Sequence, residues 1–155
     1  MVSTSGVAAD PSHERFQHKF RKPTVILADD HEQILQRASR LLDPYFDVIA
    51  SVNNGRDAVK EMKQKAPDLV VLDIGMPLLD GIETAQEMRR LGYEGRIAFL
   101  TVQEEPLFVN AAVDAGASAY ILKKSMVTEL VPALERMMAG ETYFSPALKK
   151  SSTLR

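Results

Sequence analysis

Four short apolar segments of this chain each lead directly into residues that carry reactive or charged groups. They are the runs TVILA, LVVL, IAFL and AYIL, which lead into Asp29 with Asp30, into Asp73, into Thr101 and into Lys123, respectively. Continuous apolar runs of this length, rich in β-branched residues, predict strands that are buried on both faces of a parallel sheet. The chain is therefore expected to fold as a sheet with helices covering both sides.

Parallel strands in an open α/β sheet deliver their last residues to one shared edge, where ligands bind. Taken alone, an acid pair is often a solvated loop or a helix cap, a threonine at a strand end is often only a strand residue, and a lysine is often a solvated charge. Together, three crowded carboxylates repel one another unless a cation is present. Oxygen ligands that leave room for water and phosphate favour Mg²⁺, and a carboxylate can accept a phosphoryl group.

The segments between the apolar runs have the spacing of amphipathic helices. The first helix is expected to begin near Glu32 and to bury Ile34, Leu35, Ala38, Leu41 and Leu42. Residues 46–52 predict another strand, and a helix is expected after each remaining strand, the last running from about Val127 to Ala139 and stopped by Gly140. Five strand–helix units favour right-handed crossovers and a parallel sheet.

The composition excludes several classes of protein. A chain of 155 residues with 45% apolar content is expected to form one domain, and the absence of cysteine excludes a disulfide scaffold and a thiolate metal site. No apolar stretch approaches the roughly 20 residues that span a bilayer, and the start does not resemble a signal peptide. A net charge of −2 gives no sign of a nucleic acid or an anionic membrane as partner. We expect a cytoplasmic protein with no membrane partner and no direct nucleic-acid binding by this chain.

Three stretches in this order carry a family resemblance. They are TVILADDH at residues 24–31, DLVVLDIGMPLLDG at residues 68–81 and GASAYILK at residues 116–123, with Thr101 between the last two. The set resembles the receiver domain of bacterial two-component response regulators. The resemblance implies an α/β fold with a doubly wound, five-stranded parallel sheet in the flavodoxin-like order 2-1-3-4-5, with helices on both faces.

The resemblance also implies a role for each residue at the shared edge. Asp73 is the phosphoacceptor, a sensor histidine kinase is the donor, and Thr101 and Lys123 bind the phosphoryl group. The implied Mg²⁺ ligands are Asp30, Asp73 and the backbone carbonyl of Gly75, with Asp29 acting through water. The resemblance implies a phosphoacceptor protein that catalyses its own phosphorylation and dephosphorylation, and not an enzyme that acts on a separate substrate.

The implied switch is Tyr120, an aromatic residue that moves inward when Thr101 is drawn to the phosphate. We also expect the fourth and fifth helices to offer a partly apolar face, with Phe108 and Tyr120 as candidate exposed aromatics. This face is the candidate surface for a partner or for a homodimer.

Further details resemble receivers that are joined to a LuxR-type helix-turn-helix. These are His31, Val102, Lys124 and the run GETYFSP at residues 140–146. We expect a mobile N-terminal extension at residues 1–22, a receiver domain at residues 23–140, and a linker or tail at residues 141–155 that is too short for a helix-turn-helix. The predicted function is a phosphorylation-dependent switch that controls transcription through an effector domain absent from this chain.

Two other functions are consistent with parts of the pattern. One is a stand-alone receiver or pseudo-receiver that acts by protein–protein binding. The other is a Mg²⁺-dependent phosphohydrolase, which would usually need a second acid beside the nucleophile and a cap over the substrate. No insertion in the sequence is long enough to form such a cap.

Overall fold

The computed structural model describes residues 21–151, with side chains described as far as Leu148. Strands and helices alternate along these residues. The strands are β1 (Thr24–Ala28), β2 (Asp47–Val52), β3 (Leu69–Leu72), β4 (Arg96–Thr101), β5 (Ala117–Leu122) and β6 (Tyr143–Phe144). The helices are α1 (Glu32–Leu42), α2 (Gly55–Lys65), α3 (Gly81–Arg90), α4 (Pro106–Asp114), α5 (Met126–Met138) and α6 (Pro146–Ser151), with a 3₁₀ turn at Lys123–Ser125.

All the strands lie in one parallel sheet, in the order β2-β1-β3-β4-β5-β6. The predicted parallel sheet and its order 2-1-3-4-5 are confirmed. The predicted number of strands is wrong, because a sixth strand extends the sheet beyond β5. Residues 1–20 of the predicted N-terminal extension lie outside the described residues, and none of the described helices is long and apolar enough to cross a membrane.

The alternation of side chains along the central strands produces two cores. Val70 and Leu72 of β3 pack on one face of the sheet with residues of α2, α3 and α4, whereas Leu69 and Val71 pack on the other face with residues of α1 and α5. All four residues are almost completely buried, as expected for a strand that is covered on both faces. The sheet is therefore doubly wound, as predicted.

The first helix follows its predicted spacing. Leu35, Ala38 and Leu42 are buried in the core, and Ile34 and Leu41 are partly buried against it. The α1 helix thus covers the face of the sheet opposite α2, α3 and α4.

The sixth strand comes from a segment that the sequence pattern predicts to be linker or tail. Tyr143 pairs with Ala119 and Phe144 pairs with Tyr120, both in parallel register. Leu148 is buried, and Phe144 packs against the same core cluster that contains Tyr120. A two-residue strand is too short to show an apolar period, so the amino-acid sequence gives no sign of it.

Ser145 holds this segment to the rest of the domain. It is completely buried, and its N–H donates to the carbonyl oxygen of Tyr120 at 2.9 Å. Its hydroxyl oxygen accepts from the N–H of Leu122 at 2.9 Å and donates to Oε1 of Glu129 at 2.5 Å. The side chain of Ser145 therefore connects the segment after β6 to both β5 and α5.

Replacing Ser145 by alanine is expected to lower the free energy of unfolding by about 2 kcal/mol, because the buried N–H of Leu122 loses its acceptor and the half-buried carboxylate of Glu129 loses a donor. Urea denaturation followed by circular dichroism measures the change. Ser51→Ala removes an exposed hydroxyl from β2 and is the matched control, with an expected change below about 0.5 kcal/mol. Equal, small changes in both variants would show that the hydroxyl of Ser145 adds nothing to the stability of the domain.

Candidate functional site

The strand register brings the predicted site residues to one edge of the sheet. Ala28 of β1 pairs with Leu72 of β3, and Leu72 pairs in turn with Phe99 of β4. Asp29 and Asp73, which follow these strand ends, are therefore neighbours. Thr101 pairs with Leu122 at the next junction, so that Lys123 follows at the same edge.

Two buried carboxylates and one ammonium group form the centre of the site. Asp29 and Asp73 are only 3% and 4% exposed. Nζ of Lys123 lies 2.8 Å from Oδ2 of Asp29 and 3.2 Å from Oδ2 of Asp73. Lys123 is thus the cation that holds the two carboxylates together in this structure.

The surroundings shift the pKa values of these groups. Burial raises the pKa of Asp73, the charge of Asp29 raises it further, and Lys123 opposes both effects. Burial by itself lowers the pKa of Lys123, but hydrogen bonds and charges from Asp29 and Asp73 outweigh it and the pKa is raised. Lys123 therefore stays charged at neutral pH, and ionised Asp73 carries an electrostatic cost that a further cation would relieve.

The loop after β3 fixes the position of Asp73. The N–H of Asp73 donates to the carbonyl oxygen of Ala28 at 3.0 Å, and Oδ1 of Asp73 accepts from the N–H of Ile74 at 2.8 Å. The second carboxylate oxygen therefore faces Lys123. Gly75, whose carbonyl is a predicted metal ligand, is exposed, and a Cβ added there would meet no atom within 4 Å.

The Asp80-Gly81 pair explains how α3 begins against this loop. Oδ1 of Asp80 accepts from the N–H of Glu83 at 2.8 Å, and Oε1 of Glu83 accepts from the N–H of Asp80 at 3.0 Å, which is a complete capping box. A Cβ added to Gly81 would lie 2.0 Å from the carbonyl oxygen of Asp73. Only glycine allows the start of α3 to approach the backbone of Asp73 so closely.

Asp30 and His31 lie at the open side of the site. The side chain of Asp30 is 36% exposed, and Nδ1 of His31 lies 3.2 Å from its Oδ1. The same ring nitrogen lies 3.0 Å from Oδ1 of Asp29. From the sequence, His31 is only a mark of family resemblance, although its position directly after the acid pair indicates that it borders the site.

Thr101 and Tyr120 are connected through the backbone of Gln103. The hydroxyl oxygen of Thr101 accepts from the N–H of Gln103 at 3.3 Å. The hydroxyl of Tyr120 donates to the carbonyl oxygen of Gln103 at 2.8 Å. The loop between β4 and α4 is thus tethered to both residues.

The expectation that Tyr120 is an exposed aromatic is wrong. Its exposed fraction is 0%, its ring contacts that of Phe99 at a centroid distance of 6.3 Å, and burial raises its pKa. Strand β6 and the residues after it pack beside β5, which covers this region. Phe108 is partly buried against the same cluster. Leu107, at 76%, is instead the most exposed large apolar residue of α4.

The charge and spacing of the site suit a divalent cation. One ligand atom from each of Asp29, Asp30, His31 and Asp73 lies within 4.8 Å of the others. Oδ2 of Asp29 is buried, and the ammonium of Lys123 lies 2.8 Å from it. Three carboxylates facing one ammonium leave an excess of negative charge, and oxygen donors are the ligands that Mg²⁺ prefers.

Comparison with known proteins decides the family. The response regulator receiver domain family matches residues 25–135. The chain belongs to the response regulator receiver family. Receiver domains of this family are phosphoacceptors and not conventional enzymes, bind Mg²⁺ at an acidic pocket, interact with histidine kinases and often dimerise.

The receiver domain is similar to several transcription regulators. It is 39% identical over 122 residues to the virulence-factor transcription regulator BvgA of Bordetella pertussis, covering 77% of this chain and 58% of BvgA. It is 32% identical over 127 residues to the nitrate/nitrite response regulator NarL of Escherichia coli, covering 81% of this chain and 59% of NarL. The chain thus spans less than two thirds of these relatives.

A solved structure also resembles the receiver domain. The LuxR-family two-component response regulator from Aurantimonas sp. SI85-9A1 matches with a TM-score of 0.79 and 31% identity, covering 84% of this chain and 94% of that one. The predicted resemblance to receivers of LuxR-type regulators is confirmed.

Proposed function

We propose that this domain is a phosphorylation-dependent switch in which Asp73 accepts a phosphoryl group from a sensor histidine kinase. The observation that carries the proposal is the placement of Asp73. It is a buried carboxylate at the carboxyl end of β3, with one oxygen held by a backbone N–H and the other facing an ammonium group. A nucleophile in this position is oriented before any substrate arrives.

The transfer forms one bond and breaks one. Oδ2 of Asp73 attacks the phosphorus of a phosphohistidine, the phosphorus–nitrogen bond breaks, and its electron pair leaves with the imidazole of the kinase. An acyl phosphate forms on Asp73. Lys123 already lies 3.2 Å from the attacking oxygen, so its ammonium can pair with a phosphoryl oxygen as charge develops.

The acidic residues of the site hold Mg²⁺ either directly or through water. We assign the direct ligands to the carboxylates of Asp30 and Asp73 and the carbonyl of Gly75, with Asp29 binding through water. When bound, the ion neutralises negative charge on the phosphoryl oxygens. The catalytic groups all belong to this chain, so phosphorylation from a small donor and hydrolysis of the acyl phosphate are self-catalysed.

The output follows from the Thr101–Gln103–Tyr120 connection. In the phosphorylated state the hydroxyl of Thr101 donates to a phosphoryl oxygen, which draws it away from the N–H of Gln103. Because the carbonyl of Gln103 accepts from Tyr120, a shift of this loop changes the hydrogen bonding of Tyr120 and the position of α4. The exposed Leu107 of α4 then contributes to a face that governs a partner or a homodimer.

We further propose that the regulated process is transcription, through an effector domain outside the 155 residues, and that the domain works in the cytoplasm, as is typical of response regulators. Support comes from the transcription regulators BvgA and NarL, which this chain resembles over a little more than half of their lengths. A pseudo-receiver is less well supported, because all the predicted site residues are present and clustered. The family assignment sets the phosphohydrolase alternative aside.

Thr101→Ala is expected to separate phosphorylation from the switch. Hydrogen exchange measured by mass spectrometry, with and without Mg²⁺ and beryllofluoride, should show altered exchange at residues 101–108 in the wild type. In Thr101→Ala this difference should fall to less than half, because the alanine has no hydroxyl to donate to the phosphate analogue. Thr128→Ala, an exposed threonine of α5, is the matched control and should behave like the wild type.

The same exchange difference in Thr101→Ala and in the wild type would contradict the proposed connection. Intact mass after treatment with a small phosphodonor shows whether each variant still accepts phosphate. A variant that is labelled but does not switch is the expected outcome for Thr101→Ala.

A further inference from the structure

His31 occupies a position that helix capping does not explain. It is the N-cap residue of α1, yet its side chain makes no capping hydrogen bond. Residues with short polar side chains are preferred at that position. The imidazole is 64% exposed and approaches the acidic site, with Nδ1 at 3.0 Å from Asp29 and 3.2 Å from Asp30.

The spacing of the imidazole matches that of a ligand at a metal ion. An octahedral ion with metal–ligand bonds of about 2.1 Å holds neighbouring ligand atoms about 3.0 Å apart and opposite ones about 4.2 Å apart. The distance of 3.2 Å from Nδ1 to Oδ1 of Asp30 matches neighbouring positions, and the ligand atoms of Asp30, His31 and Asp73 lie within 4.8 Å of one another. A small contraction would allow these three residues to bind one ion, with Asp29 beside them binding through water.

We propose that His31 supplies a nitrogen ligand to the divalent ion, and that the site therefore favours Mn²⁺ over Mg²⁺ more strongly than an all-oxygen site does. This inference rests on the proposed metal site at Asp30 and Asp73. Imidazole nitrogen suits first-row transition ions, whereas Mg²⁺ is best served by oxygen. Oδ1 of Asp29 already accepts from the backbone N–H of His31 at 2.9 Å, so the ring nitrogen is not needed there.

A hydrogen-bonding role makes a different prediction. If Nδ1–H only donates to Asp29 and Asp30 and orients them, loss of the imidazole weakens the binding of Mn²⁺ and of Mg²⁺ equally. If Nδ1 binds the ion, loss of the imidazole weakens the binding of Mn²⁺ much more than that of Mg²⁺. The ratio of the two affinities therefore distinguishes a ligand from a positioning residue.

The test is titration of the whole chain with Mn²⁺, followed by the electron paramagnetic resonance of the free ion, with Mg²⁺ measured by competition. His31→Ala is expected to weaken Mn²⁺ binding by about tenfold or more, and Mg²⁺ binding by less than about threefold. Electron spin echo spectra of bound Mn²⁺ should show modulation from an imidazole nitrogen in the wild type but not in His31→Ala. Gln33→Ala changes an exposed neighbour of His31. It is the matched control and should leave the affinities for Mn²⁺ and Mg²⁺ unchanged.

Three results would overturn the inference: no nitrogen modulation in the wild type, modulation that persists in His31→Ala, or equal weakening of both ions. Absence of saturable Mn²⁺ binding to the wild type would overturn it as well. Asp30→Ala tests the proposed metal site separately and is expected to weaken the binding of both Mn²⁺ and Mg²⁺. Retention of both affinities in Asp30→Ala would show that the proposed metal site itself is wrong.

Discussion

Asp73→Asn is expected to abolish phosphorylation of this domain by a small phosphodonor. Treatment of the wild type with phosphoramidate and Mg²⁺ should add one phosphoryl group, which intact-protein mass spectrometry detects directly. The amide of asparagine is a poor nucleophile, so this substitution removes the buried carboxylate that the N–H of Ile74 orients and the ammonium of Lys123 faces. Omission of Mg²⁺ should reduce labelling strongly, because the phosphoryl oxygens then lack most of their counter-charge.

Asp47→Asn is the matched control for this experiment. Asp47 is exposed and lies at the beginning of β2, at the opposite end of the sheet from the site, so this variant should be labelled like the wild type. Equal labelling of Asp73→Asn and of the wild type would show that the acceptor is another residue. Peptide mapping of the labelled protein would then identify it.

Lys123→Met is expected to destabilise the metal-free domain by about 3 kcal/mol at neutral pH. Lys123 is the ammonium that separates the buried carboxylates of Asp29 and Asp73, at 2.8 Å and 3.2 Å. Removing one partner of a buried ion pair leaves uncompensated charge in the interior, which costs more than the pair contributes. Urea denaturation without divalent ions measures the loss, and addition of Mg²⁺ should recover part of it because the ion replaces the missing positive charge.

The loss in Lys123→Met should depend on pH. The pKa of Lys123 is raised above its ordinary value, so its charge is constant between about pH 5 and 8 and its contribution disappears only in the alkaline range. The folded-state pKa of Asp73 is also raised, so protonated Asp73 favours the folded state, and this contribution is lost as the pH rises through the folded-state pKa. Without Lys123 the pKa of Asp73 rises further. The difference in the free energy of unfolding between Lys123→Met and the wild type should therefore shrink as the pH is lowered.

Lys124→Met is the matched control, because Lys124 is exposed and pairs only with Glu104 at the surface. Exposed ion pairs contribute at most about 1 kcal/mol, so this variant should be close to the wild type at every pH. If Lys123→Met were no less stable than Lys124→Met, Lys123 would not be the counter-ion of the buried carboxylates. A loss that grew as the pH fell would also contradict the electrostatic explanation.

The apolar patterns predicted the sheet and the position of its reactive edge because burial is a strong local constraint. The run at Leu69–Leu72 is apolar on both faces, so its only favourable place is inside a sheet covered on both sides. Once the strands are parallel, the residues that follow β1, β3, β4 and β5 must share an edge. The convergence of Asp29, Asp73 and Lys123 therefore follows from the order of the strands together with the residues at their ends.

The sequence by itself determined the doubly wound sheet, the family and which groups line its edge, because these depend on patterns within single segments. Only the tertiary structure decided that residues 143–144 form a sixth strand, that Tyr120 is buried, and that His31 approaches Asp29 and Asp30. Strand β6 owes its place to the open edge of β5 and to the buried hydroxyl of Ser145, and the ring of His31 owes its position to the start of α1. These features depend on contacts between segments distant in sequence or on the rotation of one side chain, and neither leaves a period in the amino-acid sequence.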